Sequence, residues 1–223
     1  MKRISHSTIA TVIGVVYLAL ITNLLLIAAC LPFIVLLVTT DPMLSWPLLA
    51  ITAPFCAPGL SAAFTAFREN SDGNLGPVRA FLAGWRATWR RSLALGFIVT
   101  AVAVVLLVDV RFFSDSSLSV VVVPALGVLT ALTASVALVG LVAISEAPKA
   151  RLVDVIKAAA YLALRRWYLT AVSIAVIGMQ AALFASIPAI ALGITAAPVL
   201  YLAWANSRFT LRPVLDTDEV AAA

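Results

Sequence analysis

The chain has 223 residues, 63% of them hydrophobic and 11% charged, with a net charge of +5 and a mean hydropathy of +1.11. A soluble domain is nearer half apolar and a quarter charged, so a water-soluble globule is excluded. All but Arg111 of the 15 Lys and Arg residues fall into short clusters between long apolar stretches. That pattern accounts for the positive balance by membrane topology and contact with anionic lipid, not by nucleic acid.

In chain order, the first apolar span covers 9–39, with a kink expected at Pro32. Lys2, Arg3 and the run Ile27-Ala28-Ala29-Cys30 imitate a lipoprotein signal. The chain stays apolar through Leu37, so a retained helix is expected instead. Asp41-Pro42 reads as a turn. The second span, 44–67, carries Pro47, Pro54 and Pro58 and is expected to bend. The basic loop 68–91 contains a polar turn and then an amphipathic stretch over 78–91. Val78, Phe81, Leu82, Trp85 and Trp89 share one face there, and Arg79, Arg86 and Arg90 another. This predicts a helix in the interface plane, with Trp85 and Trp89 at headgroup level.

The third span is 92–108, followed by a polar outer loop in which Asp109 is placed to pair with Arg111. The fourth is 118–144. A second basic loop, 145–166, reads as helical from Lys149 and contains Lys157. The last apolar stretch is too long for one crossing and divides around Ser186-Ile187-Pro188 into 167–186 and 188–205. The expectation is an all-α, polytopic helical membrane protein, one integral domain over 1–223. It has about six transmembrane helices and two amphipathic in-plane helices, with both termini and both basic loops in the cytoplasm. The segments ending in Arg90-Arg91 and Arg165-Arg166 align at an offset of 75 residues, which suggests a parallel repeat.

The chemistry on offer is sparse. No carboxylate falls at mid-span, no Gly-Lys-Ser/Thr phosphate loop exists, and the one histidine, His6, is in the polar N-terminal segment. Cys30 and Cys56 lie in apolar stretches, where packing rather than a disulfide or metal ligation is expected. No catalytic, cofactor-binding or metal-binding residue is therefore assigned. Asn23 and Gln180 are the unusual polar residues inside spans, at similar depth, about 20 Å along their helices. They are either a shared polar site on a path or an interhelical hydrogen bond that fixes register. Arg79, Trp85, Arg86, Trp89 and Lys157 are the candidate contacts to a partner or to lipid.

Several features occur in a suggestive order: Asn23-Leu24-Leu25, Leu31-Pro32, then Pro58-Gly59-Leu60-Ser61-Ala62 leading through Phe64 to Arg68. Phe81, Trp85, Trp89 and Arg90-Arg91 follow. In this order the chain resembles the YesL-like family of bacterial membrane proteins. It departs from that pattern at Ala57 and in the longer stretch 35–54. The resemblance implies a bacterial plasma-membrane protein close to carbohydrate uptake, partnering the permease or ATPase subunits of a sugar ABC importer. It implies no catalytic residues and no cofactor. A non-enzymatic accessory protein is thus the first expectation. An autonomous small-solute channel or facilitator is the second, and an enzyme acting on lipid-linked substrates the third.

Overall fold

Proline sets many of the helix boundaries. A residue before proline is pushed out of helical geometry. Asp41, Gly76, Ala147 and Ile187 each precede one and take ψ values of 117°, 150°, 74° and 78°. The computed structural model describes residues 6–73 and 75–222, with side chains over 14–73, 75–169 and 171–211. Lys2 and Arg3, and the side chains of His6 and Arg212, lie outside the described residues.

The helices are α1 (His6–Ala29), α2 (Leu31–Thr39), α3 (Pro42–Thr52), α4 (Ala57–Ser71), α5 (Pro77–Phe113), α6 (Ser119–Glu146), α7 (Leu152–Arg165), α8 (Trp167–Ser186), α9 (Pro188–Ile190) and α10 (Ala196–Ala222). A 3-10 turn, Ala53–Cys56, joins α3 to α4, and a π turn, Ala191–Thr195, joins α9 to α10. No strand occurs among the described residues. Five segments are long and apolar enough to cross a membrane, and α1 with α2 makes a sixth if that bent pair is one span. The protein is an all-α, polytopic helical bundle.

Three boundaries differ from the sequence reading. The segment 9–39 is not one kinked span: the axis turns by 78° at Cys30, and α2 leaves the line of α1. With 24 residues, α1 is about 36 Å long, enough by itself for a hydrocarbon core of about 30 Å. The stretch 78–91 is not a separate in-plane helix. It is the first part of α5, whose 37 residues run unbroken past Arg91 because no proline interrupts them there. Of the two expected amphipathic helices only α7 is separate, so the two halves of the suggested repeat are built differently. Finally, Asp109 and Arg111 belong to α5 and form no ion pair. Two positions apart on a helix, they point to different sides.

At the centre stands α4. From Ala57 to Phe67 every residue but Leu60 is buried, against α1, α5, α6 and α10. Small residues make this possible. Ala80, Gly84, Thr88, Ser92 and Gly96 recur every fourth position on α5, and Gly84 and Gly96 approach Thr65 and Ala57 on α4. Where lipid competes for every large apolar side chain, close backbone approach through small residues is what holds helices together. A Cβ on Gly84 would lie 2.6 Å from Thr65 Cβ, and one on Gly96 3.0 Å from Ala57 Cβ. Many large apolar residues point outward instead: Leu82, Phe97, Val105, Val120 and Met179 are all exposed.

Gly84→Ala should therefore destabilise the protein by about 1–3 kcal/mol in a detergent melt, by overpacking the α4–α5 seam. Gly127, on α6, has nothing within 4 Å of its would-be Cβ. Gly127→Ala should be neutral, or stabilising by up to about 1 kcal/mol through helix propensity. Equal melting of the two variants would contradict the close approach.

Candidate functional site

Pro198 stands just inside α10. It has no N–H to give, and its ring crowds the carbonyl four residues back, that of Ile194. The chain relieves this with the π turn at Ala191–Thr195. A widened turn takes backbone groups off the ordinary i to i−4 ladder, and in hydrocarbon each group left unsatisfied costs several kcal/mol. The bundle supplies the missing partners from two other helices.

Asn23, on α1, is 1% exposed. Its Nδ2 donates to Gly193 O at 2.9 Å, and its Oδ1 accepts from the Ala197 N–H at 2.6 Å. Gly193 and Ala197 are four residues apart and would bond each other in a regular α-helix. The carboxamide is inserted into that missing rung. Gln180, on α8, does much the same one turn away. Its Nε2 donates to Ala191 O at 2.7 Å, and its Oε1 accepts from Thr195 Oγ1 at 2.9 Å. The two amides singled out by the sequence thus reach the same turn and not each other. This geometry fits register-fixing bonds. It commits one donor and one acceptor of each amide to the turn.

A second polar seam was not read from the sequence. Asn206 on α10 donates through Nδ2 to Leu169 O at 2.6 Å and to Ser173 Oγ at 2.7 Å, both on α8. Ser135, Ser207 and Thr210 join it around a void of about 10 Å³, the room of one water. The signal was present but misplaced, because Asn206 follows the residue at which the last apolar stretch was taken to end.

At the end of the bundle where the arginines gather, four of them are fasteners. Arg68 Nη1 donates to the carbonyls of Ser145 and Glu146, and Arg91 Nη1 to that of Pro148. These are the final carbonyls of α6 and the turn beyond it, which have no intrahelical donor and attract positive charge. The Glu146 side chain is 7% exposed. It accepts from Trp204 Nε1 at 3.3 Å and pairs with Arg208 Nε at 3.6 Å, which offsets the cost of burying a carboxylate. Arg208 also lies over the Trp204 ring at 5.4 Å, and Arg166 Nη1 donates to Phe209 O at 3.0 Å. A cleft of about 140 Å³ opens beside this cluster, lined in part by Thr65, Arg68, Glu69, Gly84 and Thr88.

Arg79, Arg86 and Lys157 are exposed, and none has an ion pair or hydrogen bond among the described residues. The two tryptophans part company. Trp85 turns inward, 6.2 Å from the Phe81 ring and 3.5 Å from where a Cβ on Gly59 would sit. Trp89 is 45% exposed, with the Arg90 guanidinium 5.7 Å from its ring centroid. Among the described residues no three His, Cys, Asp or Glu side chains gather as metal ligands would.

Asn23→Ala orphans a buried carbonyl and a buried N–H together. It should lower stability by at least ~1–3 kcal/mol in a chemical unfolding titration. Thr133→Ala removes only a bond to the carbonyl one turn back, that of Leu129, and should fall within about 0.5 kcal/mol of wild type. Because Asn23 and Gln180 hold one turn, Asn23→Ala with Gln180→Ala should not be additive.

No family model matches the chain, and neither a curated protein nor a solved structure is significantly similar to it.

Proposed function

We propose that this is a non-enzymatic accessory protein of the bacterial plasma membrane that docks through its basic end to a carbohydrate ABC importer. One observation carries the docking reading. Arg68, Arg91, Arg166 and Arg208 are engaged inside the protein, whereas Arg79 and Arg86 are presented outward on one helix with no acidic partner among the described residues. Arg90 extends the same stripe, and Leu82 and Trp89 supply exposed apolar area beside the charges. Guanidinium groups interleaved with large side chains suit recognition of an acidic protein surface. The importer as partner rests on the resemblance to YesL-like proteins. The cytoplasmic side for this end rests on the excess of Lys and Arg there. A facilitator would need free polar atoms along a path, and those of Asn23 and Gln180 are bonded to the 191–197 backbone.

The test is capture of permease or ATPase subunits from mild detergent. Arg79→Glu with Arg86→Glu should be made at normal levels, because neither side chain supports the fold, and should lose those subunits. Capture by the wild type should weaken as salt rises, since exposed charge is screened within about 10 Å at 0.1 M ionic strength. Equal capture by wild type and variant at every salt concentration would remove the docking reading.

A further inference from the structure

The chain has two cysteines, and the fold brings them together across 26 positions of sequence (56 − 30). Cys30 is the single residue between α1 and α2, where the axis turns by 78°. Cys56 closes the 3-10 turn that leads into α4. Between them lies only the α2–α3 hairpin, so the two residues stand at its point of departure and its point of return. Cys30 packs on the first turn of α4, the helix that Cys56 immediately precedes. Gly59, one turn past Cys56, has no side chain in the way: a Cβ there would lie 2.9 Å from Ala29 Cβ and 3.8 Å from Cys30 Sγ. Both cysteines are free and half-buried.

The hairpin itself has little else to hold it. No residue of α2 is buried, and Ser45 alone is buried on α3. Its attachment is concentrated at this neck, where both thiols are free. We propose that Cys30 and Cys56 form a reversible thiol–disulfide site that staples the neck of the α2–α3 hairpin. Closure breaks two S–H bonds and forms one S–S bond, releasing two electrons and two protons. The flanking Leu31 and Phe55 are 52% and 49% exposed, so an oxidant arrives through an apolar phase. A lipid-soluble quinone meets that requirement and leaves as its quinol, having taken both electrons and both protons. The disulfide then removes conformational freedom from the hairpin by closing it into a loop, and thiol exchange with a reductant reopens it.

The experiment uses the full chain in lipid nanodiscs with decylubiquinone, whose ring carbons are all substituted and cannot alkylate a thiol. After treatment the protein is denatured and its remaining thiols are titrated with maleimide. Both thiols should disappear together, the mass should fall by two hydrogen atoms, and the protein should stay monomeric on a non-reducing gel. A phosphine reductant should restore both. Cys30→Ala should keep its one thiol under the same treatment. The proposal is overturned if both thiols still react after the quinone, if their loss produces linked dimers, or if Cys30→Ala loses its thiol as fast as the wild type.

Discussion

A backbone carbonyl or N–H without a partner in hydrocarbon costs several kcal/mol, more than most single contacts return. This chain meets that constraint repeatedly, because proline and bends interrupt its helices. The solution recurs: a polar side chain from another helix completes the interrupted backbone. Asn23 sits between Gly193 and Ala197, and Gln180 bonds Ala191. Arg68 and Arg91 take the carbonyls where α6 ends before Pro148. Each of these bonds joins two helices, so completing the backbone and fixing the tertiary arrangement are one event.

That division of labour bears on function. Inside the bundle the amides and four of the arginines are committed to structure. Glu146, buried, is enclosed by Trp204 and Arg208. The unengaged charge is at the surface, on the outward side of α5 and at Lys157 of α7. A protein that carries out chemistry or passes solutes usually keeps reactive or polar groups free inside. A protein that works by contact keeps them free outside, and the proposed accessory reading rests on this distribution.

Hydropathy and proline made the helical membrane architecture legible in the sequence. Asn23 and Gln180 were legible too, because amides are rare in spans. What they hold was not, since a backbone turn carries no side-chain signature, although Pro198 marks where one is strained. The buried side of α5 was misread for a physical reason. Periodicity of large apolar residues finds the core of a soluble helix, but lipid accepts those residues equally well. The buried side here joins Phe81 and Leu95 to Ala80, Gly84, Thr88 and Ser92, a stripe whose small members have modest hydropathy. Trp85 and Trp89 therefore looked alike and lie in different places. The nearness of Cys30 to Cys56 was out of reach, because it depends on the bend at Cys30 and on the close approach at Gly59.

Residue-resolved hydrogen exchange at the Ala197 amide tests most directly whether a side chain replaces the missing rung. In lipid nanodiscs the wild-type Ala197 N–H should be strongly protected, because it donates to Asn23 Oδ1. In Asn23→Ala its exchange should accelerate sharply, while the amides of 57–67 in α4 keep their wild-type rates. An Ala197 amide that exchanges equally slowly in both proteins would contradict the account.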